Sequence, residues 1–200
     1  MKSATLHLQN ADPIMAGIIE RVGPCQLVVR EPTFETLARS ITFQQLSGKA
    51  AGTIFGRLRK AVGRRFTASA FLKLSTEELR ACGLSRQKIA SLTDLAERVA
   101  RREINFRKLP DLSDAEIIET LSAVRGVGVW TVQMFLIFAL QRPNVMPLAD
   151  LGIRNAVRRA YDLPELPKAA ELAKISEKWH PYCSVASWYL WRSLEGPAGI

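Results

Sequence analysis

Between Val129 and Leu140 every residue except Thr131 and Gln133 is apolar. A run of this length is too short to span a bilayer and fits a helix buried in a protein core. Just before it, Arg125-Gly126-Val127-Gly128 breaks any regular pattern, because two glycines allow backbone angles that Cβ-bearing residues avoid. Before that break, Ser113 followed by Glu116 has the spacing of a capping box. Ile117, Ile118, Leu121 and Val124 then fall on one helical face. Residues 121–150 therefore read as the end of a helix, a four-residue hairpin, a buried helix, and a loop that finishes on one carboxylate, Asp150.

The rest of the chain repeats the theme of capped, amphipathic helices. Asp12-Pro13 is a cap followed by a first-turn proline, with Gly23 as the stop. Glu31-Pro32-Thr33 opens a second helix with Phe34, Leu37, Ala38 and Ile41 inward. Gln44-Gln45-Leu46-Ser47-Gly48 interrupts it, and a third runs from about Lys49 to Val62. Ser75 with Glu78 forms another capping box, and Ser85 restarts a longer helix carrying Ile89, Leu92, Leu95, Ala96 and Val99. Its Arg86, Lys88, Arg98, Arg101 and Arg102 predict a solvated cationic face, with DNA contact as the alternative. A helix rich in arginine follows Asp150, Leu172 to Trp179 defines another, and Ser184 to Leu194 is the last. Convincing alternating runs bounded by turn residues are missing, so the expected class is all-α.

Lys and Arg number 28 against 19 acidic residues, a formal net charge of +9. That excess predicts a positive field suited to a polyanion, with a generic basic surface as the alternative. Two hundred residues suffice for one domain or two closely packed lobes. No secretory apolar region or membrane-length run is visible, so a cytoplasmic protein is expected, nucleoid-associated in a prokaryote. Cys25, Cys82 and Cys183 are scattered and show no disulfide framework or zinc spacing.

Bare backbone N–H groups at the hairpin, beside the positive end of a helix, would suit a phosphate; a tight corner between two helices is the plain alternative. Longer matches weight the choice. Leu121, Gly126-Val127-Gly128, Trp130 and Thr131 resemble the helix-hairpin-helix of the DNA base-excision glycosylases. Met146-Pro147-Leu148-Ala149-Asp150 resembles the loop that closes that motif. Ile41-Thr42-Phe43-Gln44-Gln45-Leu46-Ser47 and the stretch from Trp179 to Trp191 are similar to the 3-methyladenine DNA glycosylase II branch, which acts in alkylation repair.

The resemblance implies a two-lobed helical fold with a cleft between lobes, one compact glycosylase unit over 1–200, and the hairpin and catalytic loop at about 114–150. The β-rich N-terminal lobe of longer bacterial members is not expected. It implies a monofunctional enzyme, likewise a monomer, that binds double-stranded DNA and excises alkylated bases of the 3-methyladenine and 7-methylguanine type. Asp150 becomes the candidate catalytic carboxylate, stabilising positive charge on the sugar and orienting water; helix capping is its plainer role. Trp130 stands where a lyase would carry a Schiff-base lysine, which predicts base removal by water alone. Trp130, Tyr182, Trp179 and Phe43 are the candidate base pocket, whose rings attract a cationic alkylated base by ~0.5–2 kcal/mol. Other aromatic positions of the family's pocket are Met134 and Leu151 here. Gln44, Gln45, Arg125, Gly126, Val127, Gly128 and Thr131 are the candidate DNA contacts. Gln45 is the plug for the vacated stack, where relatives often carry an aliphatic residue. The resemblance also implies a structural Na⁺ or K⁺ held by hairpin carbonyls, with no residues assignable to it. Three distant cysteines cannot supply the four-cysteine iron–sulfur cluster of a related branch. His7 and His180 are given no acid or base role. Three alternatives stay open: a non-catalytic helix-hairpin-helix DNA-binding protein, a bifunctional glycosylase/lyase for oxidised bases, and a helical interaction protein that binds no nucleic acid.

Overall fold

The computed structural model describes residues 2–195. Among these residues all regular structure is helical. In chain order the helices are α1 (Lys2–Ala11), α2 (Pro13–Val22), α3 (Phe34–Phe43), α4 (Gly48–Val62), α5 (Ala68–Phe71), α6 (Thr76–Ala81), α7 (Arg86–Ala100), α8 (Asp114–Ser122), α9 (Val129–Phe138), α10 (Leu151–Ala160), α11 (Ala169–Ser176) and α12 (Cys183–Leu194). None is long and apolar enough to cross a membrane. The expected caps are formed. Ser75 and Ser113 each receive the backbone N–H of a glutamate three residues on, and the glutamate side chain accepts the serine N–H in return. Asp12 and Thr33 cap α2 and α3. Helix α1, not expected from the sequence, ends two residues before Pro13 and buries Ala4 and Leu8.

The chain divides into two compact units, residues 1–29 with 136–200, and residues 30–135. The first unit is built on α1, α2, α10, α11 and α12. Its core gathers Leu8, Met15, Ile18, Val157, Leu172, Trp179, Tyr189 and Leu190, most of them without solvent contact. In the second unit α7 lies against α3, α5 and α6, with Leu37, Ile41, Leu58, Phe71, Leu92 and Leu95 inward. The boundary between units falls inside α9, whose residues Val132 and Phe135 to Ile137 are buried.

Candidate active site

The turn between α8 and α9 belongs to the second unit. Gly126 has φ +74°, and a Cβ there would lie 2.6 Å from the Ser91 hydroxyl, so glycine is required twice over. Gly128 has neither a positive φ nor any heavy atom within 4 Å of a built Cβ. The expectation that both glycines serve the turn's geometry is therefore corrected: Gly126 alone does. Two of the turn's amides, neither of them a glycine amide, are occupied. The Arg125 N–H donates to Asp94 Oδ2 at 2.8 Å, and the Val127 N–H donates to the Val124 carbonyl at 3.0 Å. Val127 is itself buried, so its side chain cannot meet a DNA strand.

The loop after α3 is tied to this turn within the same unit. The Gln44 side-chain amide donates to the Gly126 carbonyl (3.1 Å) and to Thr131 Oγ1 (3.2 Å). Gln45 sits next along in the left-handed region, φ 58°, with its side chain exposed. Together with Trp130, these residues line an open recess of about 380 Å³. Trp130 is 46% exposed. Four of the expected DNA contacts and one expected pocket ring are thus neighbours. The same recess holds Ser85, Gln87 and Ser91, for which no role was expected, and Lys88, expected on the cationic face of α7. The expected cationic face of α7 is partly self-neutralised: Arg98 pairs with Asp94 and Glu103, and Arg101 with Glu97 and Glu103. Phe43 is half-buried beneath the Arg39 guanidinium, 3.8 Å from the ring centre.

Asp150 belongs to the first unit. It caps α10, with Oδ1 accepting the Ile153 N–H at 2.8 Å and the Trp191 indole N–H at 3.0 Å. Two donors on one oxygen fix the carboxylate plane. Gly152 makes room for this: a Cβ there would lie 3.1 Å from Asp150 Oδ1 and 3.2 Å from Trp191 Cδ1. Phe138 stacks on Trp191 with ring centres 5.8 Å apart. Leu151, beside the carboxylate, is 59% exposed.

One stripe of α12 grips the loop that leads to Asp150 at several points. Ser184 donates to the Arg142 carbonyl (2.6 Å) and accepts the Val145 N–H (3.0 Å). Ser187 reaches Met146 Sδ (3.8 Å), and Trp191 reaches Asp150. Positions 184, 187 and 191 recur at helical spacing on one face. That periodicity was legible, but nothing in it showed which loop the face would grip.

Trp179 requires a correction. It was expected in a base pocket, yet it has no solvent contact and donates its indole N–H to Asp12 at 2.8 Å. Asp12 also accepts from the Tyr161 hydroxyl and lies 3.2 Å from Lys178 Nζ. A buried carboxylate needs several donors, and Trp179 is one of them. Tyr182 is half-buried and meets His7 edge-on, ring centres 5.3 Å apart. Among the described residues no group of three His, Cys, Asp or Glu side chains could hold a metal ion.

The HhH-GPD superfamily of base excision DNA repair proteins matches residues 38–181. The chain is 36% identical over 199 residues to DNA-3-methyladenine glycosylase 1 of Schizosaccharomyces pombe, covering 96% of this chain and 87% of that protein. The solved 3-methyladenine DNA glycosylase of S. pombe, in complex with abasic DNA, superposes with a TM-score of 0.82 at 38% identity, covering 94% of this chain and 95% of that one. A DNA-3-methyladenine glycosidase from Bacillus halodurans gives 0.85 at 33% identity, over 94% and 87%. The match to 38–181 takes in the loop after α3, the turn anchored by Gly126 and the capped carboxylate at Asp150, and the chain belongs to the HhH-GPD superfamily of base excision DNA repair proteins.

Proposed function

We propose that this protein is a monofunctional DNA glycosylase that removes alkylated bases, of the 3-methyladenine and 7-methylguanine type, by hydrolysing the N-glycosidic bond. The observation that carries the reading is the Asp150 corner: a carboxylate oriented by an indole and an amide on Oδ1, at the head of a helix and in the loop that follows the family's motif. As the glycosidic bond breaks, electrons leave with the base and the sugar becomes cationic. Asp150 would stabilise that charge through its carboxylate and orient the attacking water, whose oxygen bonds to C1′ as one of its protons passes to solvent water. The names borne by the relatives support the substrate class.

Trp130 supports a purely hydrolytic step, since an indole offers no amine for a Schiff base. Lys88 lines the same recess, but its ammonium already donates to two main-chain carbonyls. Trp130 would stack on an extruded base, and Gln45 would occupy the gap it leaves. Double-stranded DNA is the partner, bound largely through phosphates, so affinity falls steeply as salt rises. A monovalent cation at the turn would be held by backbone carbonyls.

The test is to incubate the protein with methylated duplex DNA and identify the released bases. Free 3-methyladenine and an intact strand carrying an abasic site are expected. Release of nothing, or an adduct trapped by borohydride, overturns the proposal.

A further inference from the structure

Neither the turn nor the carboxylate corner accounts for Lys88. It lies in the first turn of α7, its stem half-buried. Its ammonium donates to the carbonyls of Ile41 and Gln44, both at 2.8 Å. Those carbonyls close α3, where the last turn lacks donors of its own and carries the negative end of the helix dipole. Burial lowers the lysine's pKa.

The anchoring continues past the backbone. Gln44 reaches the turn through the Gly126 carbonyl and Thr131, and Ser47 caps α4 on the far side. Between these fixed points stand Gln45, left-handed at φ 58°, and Leu46, 39% exposed. A non-glycine residue keeps that conformation only where its surroundings impose it.

We infer that Lys88 is a positioning residue for base extrusion: by gripping the main chain at Ile41 and Gln44 it holds the Gln45–Leu46 tip stiff enough to enter the base stack. The inference rests on the glycosylase reading. A tip that swings freely would yield to the stack it must displace; a tip braced on α7 and on the turn transmits the force of binding.

Two variants separate this role from a plain scaffold role. Lys88→Met keeps the stem and removes the donors, and Lys88→Arg keeps the charge. Each is compared with the wild-type protein in single-turnover excision from the same methylated strand, once as duplex and once as single strand. The Met variant is expected to lose about tenfold more rate on duplex than on single strand, the ratio given by about 1.4 kcal/mol of added extrusion cost. Arg recovers most of that difference. 2-Aminopurine beside the lesion should brighten less with the Met variant, reporting weaker extrusion. Equal losses on the two substrates, or no loss, overturn the inference and leave Lys88 a structural lysine. A wild-type protein that releases no base from either substrate overturns the glycosylase reading, and this inference with it.

Discussion

Asp12 and Asp150 occupy matching places in the same unit. Each precedes a helix, each bonds a main-chain N–H of the first turn, and each accepts an indole N–H, from Trp179 and Trp191 respectively. They differ in what else arrives. Asp12 has no solvent contact and draws in the Tyr161 hydroxyl and the Lys178 ammonium as well. The donors identified above for Asp150 are neutral and share one oxygen, and the neighbouring Leu151 opens to solvent. A capping aspartate is therefore uninformative by itself. The ammonium and the extra hydroxyl on Asp12 are what mark a carboxylate that holds a core together.

Exchanging the carboxylates for neutral groups puts that contrast at risk. Asp150→Asn should keep the cap and the fold, because Asn caps almost as well as Asp, while single-turnover base release falls about a thousandfold. Full release by this variant would remove Asp150 from the chemistry. Asp12→Ala should do the reverse. It strands the Tyr161 hydroxyl and the Trp179 N–H, at a cost of about 3 kcal/mol seen in urea unfolding, with excision by the folded fraction unchanged. A stable Asp12→Ala protein would mean the cluster is dispensable.

Gly152→Ala sharpens the comparison further. Its Cβ would press on Asp150 Oδ1 and Trp191 at just over 3 Å. Excision is expected to drop about tenfold, from a displacement of a few tenths of an ångström, with substrate affinity and melting temperature nearly constant. A parallel loss of affinity would point to a DNA contact instead.

The smallest effect is on pH. Burial works to raise the Asp12 pKa, but bonds from Tyr161, Trp179 and Lys178 outweigh it and hold the carboxyl below its ordinary value. A carboxyl depressed on folding contributes stability above its unfolded pKa, and that contribution is lost as pH falls through the folded value. Urea midpoints should therefore decline on acidification below about pH 4, and Asp12→Asn should flatten that decline.

Much of this was legible before any coordinates. The capping boxes at Ser75 and Ser113, the Asp12 and Thr33 caps and the buried α9 all formed where local chemistry places them, because a cap needs partners only two or three residues away. The Gly126 turn and the Asp150 loop were visible as spacings. Trp179 was not readable in the same way: an aromatic beside Pro181 and Tyr182 suits a pocket as well as a core, and only its bond to Asp12, 167 positions away, decides. Lys88 read as one more surface cation until its ammonium was seen on Ile41 and Gln44. Gly128 resembled Gly126 in every local respect.

The sequence by itself determined most of the helices and their caps (though not α1 or α5), the turn and the family, since each rests on contacts within a few residues or on matched motifs. The tertiary structure alone decided which aspartate is sealed in a core, which tryptophan orients the other, and which lysine braces the loop. Those outcomes depend on groups brought together from 41 to 167 positions apart, and burial and hydrogen bonding act on distance in space, which spacing along the chain does not encode.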